Sequence, residues 1–218
     1  MTLGVLFAIL ASASFGFNIA SVRRGVATGA ALQGLYLTVF PGFVLFLLAA
    51  ALSGQLMRAT QISIQDYWLL IIGGVVHILI GRYCNYRAVS AIGANRSSPI
   101  VAMSTLVTVG VAILFLGETL STLNTAGILF VMLGPPLATG RPSSIDRVSR
   151  CPDSDSRRRM LEGYLWGLAA AVFWGIGPVF MRAGVATSGM GVMGGFITYL
   201  AATAVLLPVL LFPGQMSG

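Results

Sequence analysis

The sequence predicts an all-α, polytopic membrane protein with about seven transmembrane helices. Three observations carry this reading. Only 9% of the 218 residues are charged while 56% are hydrophobic, with a mean hydropathy of +0.90; a soluble domain carries about 25% charged residues. Seven stretches are apolar over roughly the 20 residues that a helix needs to cross a hydrocarbon core of about 30 Å. Most connections between them are short, as packed helical hairpins require. The same numbers exclude a soluble enzyme and a disordered chain. They also exclude a nucleic-acid-binding domain, because the net charge of +7 is scattered between apolar runs and makes no basic stripe.

The first span runs from about Leu3 to Val22. Its Ala11-Ser12-Ala13 looks like a cleavage site, but a signal peptide opens with positive charge and residues 1–22 carry none. Arg23 and Arg24 come after the apolar run, so a retained first helix is expected. Leu32–Leu52 and Tyr67–Val89 are the second and third spans; Pro41 lies in one, and Gly73, Gly74, His77 and Gly81 in the other. Ser98–Leu116 and Leu123–Ala138 form the fourth and fifth, and Tyr164–Met181 and Val192–Leu211 the sixth and seventh, with Pro178 and Pro208 inside. From Arg141 to Glu162 the chain carries six arginines, three aspartates and one glutamate, with Pro142, Pro152 and no apolar period. That segment reads as a solvated linker. Trp166, Trp174 and the tyrosines at span ends read as an interfacial belt.

Absences narrow the chemistry. All 13 basic residues are arginine, so a chromophore held through a lysine Schiff base is excluded. Cys84 and Cys151 have no C-x-x-C spacing and His77 is the only histidine, so neither a disulfide framework nor a metal site is expected, and no cofactor.

Shifting the chain by 159 residues lays the first span on the sixth. Gly4, Leu6, Ala11, Gly16, Arg23, Gly25, Val26, Ala27 and Thr28 then meet Gly163, Leu165, Ala170, Gly175, Arg182, Gly184, Val185, Ala186 and Thr187. The match continues past the helix end into the loop. A repeat that restarts after five spans places its second copy upside down, the inverted-repeat design of many secondary transporters. Residues 1–140 therefore read as one five-helix unit, 141–162 as the linker and 163–218 as a second unit of two helices.

Three short stretches give this repeat a resemblance. Phe15-Gly16-Phe17-Asn18 and Phe173-Trp174-Gly175 mark the first helix of each copy. Tyr86-Arg87-Ala88-Val89-Ser90-Ala91-Ile92-Gly93-Ala94 closes the third span. Leu116-Gly117-Glu118, with Gly127 and Gly134 beyond, marks the turn into the fifth. In their order they resemble the EamA-type drug/metabolite transporters, which are built of ten helices in two five-helix repeats. The chain departs from that pattern in three places. A proline usual near Ser104 is missing, Pro135-Pro136 interrupts the fifth span, and the second copy stops after two helices.

Arg82 is the most informative single residue, some 15 residues into the third span and therefore about 22 Å along it. A cation at that depth is costly: either it faces a cavity, where it would bind the carboxylate or carbonyl of a small solute, or it snorkels toward the nearer interface and pairs with headgroups or a carbonyl. Asn85 and Tyr86 follow three and four residues later and are expected on the same face. Asn18 in the first span must find a hydrogen bond within the bilayer, from another helix or from a solute. Arg87 reads as an interfacial anchor and His77 as a packed, hydrogen-bonded residue. Glu118 reads as a structural cap on the turn before the fifth span.

The expected function is transport of a small organic metabolite or amphipathic compound by alternating access, without catalysis. The solute path would bring together Asn18, Arg82, Asn85 and Tyr86. The alternative is a truncated remnant that inserts and transports nothing. Expected partners are the lipid bilayer, an unidentified solute and a second copy of the chain in place of the missing half; no nucleic acid is expected. The expected location is the inner or plasma membrane. Two warrants disagree on orientation. Nine arginines (Arg23, Arg24, Arg96 and the six of the linker) fall on one side against Arg58 and Arg182 on the other, which puts the linker inside and the N-terminus outside. The resemblance implies an N-terminus in the cytoplasm.

Overall fold

The computed structural model describes residues 2–28, 31–117, 121–138 and 154–211. Helix α1 covers Thr2–Thr28 and α2 covers Ala31–Leu52. A short 3₁₀ helix, Leu56–Gln61, leads into α3, Ile64–Gly74. Ser63 starts α3 by accepting the Asp66 N–H at 3.1 Å, the usual way of satisfying an orphan donor at a helix start. The chain then passes through a π-helical turn, Val75–Gly81, into α4, Arg82–Ile92, so that Ile64–Ile92 is one 29-residue rod. Gly93 ends the rod at φ 80°, a backbone that side chains disfavour.

The fourth span, expected to be continuous, is broken. Helix α5 (Ala94–Ala102) and α6 (Ser104–Leu116) meet at Met103. There the backbone tightens to three-residue hydrogen bonds, Met103 N–H to Ile100 at 3.1 Å and Leu106 N–H to Met103 at 3.0 Å. The sequence offers no proline at this break. Helix α7 (Thr122–Ala138), α8 (Ser154–Val185) and α9 (Gly191–Leu211) complete the chain. Ser154 to Glu162, expected as linker, are the first turns of α8; arginine, methionine, leucine and glutamate all favour helix.

The result is an all-α, multi-pass membrane protein. Among the described residues six helices are long and apolar enough to cross a membrane, against the seven expected. The difference is α7, which is helical where the fifth span was expected and runs on through Pro135 and Pro136. Its 17 described residues rise about 25 Å, at the lower end of what a spanning helix needs.

Helix α8 is the packing hub, lying against α3, the π turn, α4, α5 and α6. Lipid gives helices no hydrophobic reason to associate, so close approach over small residues must supply the attraction. Gly163 abuts Ile92, Gly167 abuts Ile100, Gly175 abuts Val107, Gly177 abuts His77 and Gly184 abuts Leu70. Helix α9 packs on α2 and α3, around buried Leu35, Val39, Ile78, Tyr86 and Leu206. At the end where α4 meets the start of α8, Arg87 and Glu162 pair at 2.7 Å, and the Arg87 guanidinium sits 5.5 Å from the Trp166 ring centroid. Arg87 is thus anchored to the protein itself. Helix α1 stands apart: its main contacts are with α4 and α2, none of its apolar window is buried, and nothing lies within 4 Å of a methyl placed on Gly4 or Gly16.

Candidate functional site

Five helices converge on a cavity of about 300 Å³. Helix α1 contributes Phe15, Asn18 and Val22, and α4 contributes Asn85 and Val89. Helix α5 adds Ser97 and Ser98, α6 adds Ser104 and Thr105, and Trp174 of α8 closes one wall. Two amides and four hydroxyls therefore face one space inside an otherwise apolar bundle. Asn85 is the least ordinary of them. It is 8% exposed, yet its carboxamide makes no hydrogen bond to another described residue. The Ser97 and Ser98 hydroxyls donate to the Ala94 carbonyl at 3.3 and 2.7 Å, which leaves their oxygen lone pairs as acceptors.

A second cavity, about 400 Å³, adjoins the first and shares Phe15, Ser104, Thr105 and Trp174 with it. Its own lining adds His77, Arg82, Thr108, Val109 and Pro178. The Trp174 indole N–H donates to the His77 carbonyl at 3.1 Å, and the Phe15 and Trp174 rings lie 6.0 Å apart at 59°. The Thr108 hydroxyl reaches the Gly175 carbonyl at 2.9 Å, fastening α6 to α8 beside the cavity. Arg82 donates from Nη2 to the Tyr199 hydroxyl at 3.3 Å and stands 5.9 Å from that ring's centroid. His77, expected to be hydrogen-bonded, has a buried Nδ1 without a partner among the described residues.

The sequence-predicted residues are thus divided. Asn18 and Asn85 share the first cavity, and Arg82 lines the second. Tyr86 lines neither; it is 2% exposed and donates to Thr38 Oγ1 at 3.2 Å, joining α4 to α2. The reason is helical geometry. Asn85 and Tyr86 are neighbours in sequence, hence about 100° apart around the axis, although each is near Arg82. Glu118 lies outside the described residues. Trp174 is the residue that sequence reasoning misplaced. Expected in an interfacial belt, it stands ten positions beyond Tyr164, deep in the span, and that depth was the available signal. The hydroxyls of α5 and α6 gave no comparable signal, since serine and threonine are common packing residues in membrane helices.

No cluster of metal-binding side chains occurs among the described residues. Residues 2–138 match the model of the EamA-like transporter family. No curated protein and no solved structure matches the chain.

Proposed function

We propose that this chain, which belongs to the EamA-like transporter family, moves a small organic solute across the cell membrane by alternating access, through the cavity between α1, α4, α5 and α6. One observation carries the proposal: Asn85, nine-tenths buried and without a side-chain hydrogen bond to another described residue, opens on a cavity that Asn18 also lines. Its polar atoms are reachable from the cavity and not sealed in the packing, as those of His77 and Thr203 are, so they stand ready to hydrogen-bond what enters. A solute that supplies the missing bond while bound, and leaves again, gives such a group a use. The cavity volume is at the lower end of the range for small-molecule sites. Nothing in this arrangement resembles a nucleophile with its base, so the reading is translocation without bond chemistry.

A second reading, an inserted protein that transports nothing, draws on α1. One wall of the cavity is built from a helix whose outer faces are open. An efflux and resistance screen in cells expressing the chain, run beside Asn85→Ala, separates the two. A solute whose accumulation changes with the chain, and at least tenfold less with Asn85→Ala at equal membrane yield, supports transport through this cavity. No responding solute favours the second reading, and a fully active Asn85→Ala refutes the cavity assignment.

A further inference from the structure

The two adjoining cavities differ in electrical character. The first is lined by amides and hydroxyls and holds no charged side chain. The second is lined by the guanidinium-bearing Arg82 and by His77. Arg82 stands ten residues before the end of the rod at Ile92, about 15 Å along the axis, well inside an apolar span that is longer than a core about 30 Å thick. A cation at such depth faces a cavity or pairs with another charge or a backbone carbonyl. Here both of its contacts, the Tyr199 hydroxyl and the Tyr199 ring, are neutral, and no carboxylate among the described residues forms an ion pair with it. A guanidinium has five N–H donors, and one tyrosine oxygen occupies one of them. His77 also lines this cavity, but its Nδ1 is sealed against α8 at Gly177 and has no partner among the described residues. Between the two cavities stand the Phe15 and Trp174 rings.

We infer that the solute is a small organic anion: its carboxylate faces Arg82 in the second cavity, its flat apolar middle lies against Trp174 and Phe15, and an uncharged hydrogen-bonding end meets Asn18 and Asn85 in the first. This deepens the transport reading above and rests on it for the word solute. The site needs no acidic partner for Arg82 because the cargo brings the counter-charge. Filling the second cavity also relieves the cost of holding, within the span, a cation whose contacts are neutral. A neutral solute of the same shape leaves that cost in place, so the site discriminates by charge. An anionic lipid headgroup has the same charge chemistry and is the competing source of the anion.

The test uses the purified full chain in an uncharged maltoside detergent, with 4-hydroxybenzoate and 4-hydroxybenzamide as probes. The pair has the same ring and hydroxyl and differs in the charge of one group. Titration calorimetry should show the acid binding at least tenfold more tightly than the amide. Arg82→Gln should bring the two within about threefold of each other, whereas Asn85→Ala should weaken both by a similar factor and keep the preference. Arg82→Lys retains the charge without the planar fork, and should preserve the preference at reduced affinity if the glutamine variant does not fold. Equal binding of acid and amide, no saturable binding of either, a preference that survives Arg82→Gln, or an Arg82→Lys affinity equal to the parent's overturns the inference. So does displacement of the acid by phosphatidylglycerol, which assigns the anion to lipid. Proteoliposomes distinguish this inference from the reading beneath it. Binding without translocation refutes transport and leaves the anion site standing; translocation that favours the amide does the reverse.

Discussion

Gly175 and Gly16 occupy equivalent positions of the internal repeat, yet their surroundings are opposite, and a pair of substitutions exploits the contrast. A methyl added at Gly175 would lie 2.6 Å from Val107 Cγ1 and 2.8 Å from the Ser104 carbonyl oxygen. Rotation of the valine moves Cγ1 but not its Cβ, which also abuts the added methyl, and the backbone oxygen is fixed, so α8 must shift away from α6. Overpacking of this kind costs about 1–3 kcal/mol. The same shift stretches the 2.9 Å bond from Thr108 to the Gly175 carbonyl, a loss of about 1 kcal/mol. Alanine's better helix propensity returns about 1 kcal/mol, leaving Gly175→Ala less stable by roughly 1–3 kcal/mol. At Gly16 nothing lies within 4 Å, so only the favourable propensity term of about 1 kcal/mol survives. Thermal melts of the two variants and the parent in one detergent decide the matter. A chain of this size loses about 2–4 °C per kcal/mol, so Gly175→Ala should melt several degrees low and Gly16→Ala at or above the parent. Equal melting temperatures, or greater damage at Gly16, would refute the assignment of α8 as the hub.

Tyr86→Phe deletes the 3.2 Å bond to Thr38 and should cost about 1 kcal/mol of stability. Because Tyr86 lines neither cavity, solute binding should be unchanged, and a binding loss at normal stability would return Tyr86 to the solute path. The arginine count puts the linker inside, so a membrane-impermeant maleimide on intact cells should leave Cys151 unlabelled until the membrane is opened. Cys84, at 2% exposure, does not compete for the reagent. Labelling of intact cells that disappears in Cys151→Ser would favour the orientation implied by the family.

What the sequence disclosed and what it hid have separate physical causes. Composition and span length depend on the solvent, so the all-α membrane class was legible at once. Asn18 and Asn85 stood out because a carboxamide in an apolar run has few ways to be satisfied in lipid, and they do meet at one cavity. Tyr86 was grouped with them because helical spacing from Arg82 constrains each residue separately, not their angle to one another. The break at Met103 carries no proline or glycine to announce it. Trp174 was hidden by the habit of reading membrane tryptophans as interface markers, although its depth in α8 argued otherwise. The ends of α7 were the hardest to place, because boundaries are what composition resolves least well.

The wide turn at Val75–Gly81 has a consequence for comparing this chain with its relatives. A turn closed by i→i+5 bonds takes up one residue more than an α-helical turn, so every position after Gly81 is rotated by about 100° from where an unbroken helix would put it. Were the rod regular throughout, Gly81 would point where Arg82 now points, and Cys84 would take the direction of Asn85. The wide turn is therefore equivalent to a single inserted letter concealed inside a helix. A relative that lacks the insertion would carry its cavity amide one place earlier in the count. An alignment drawn without a gap through this helix would set that amide opposite Cys84, and would report the site as lost where it had only changed its number.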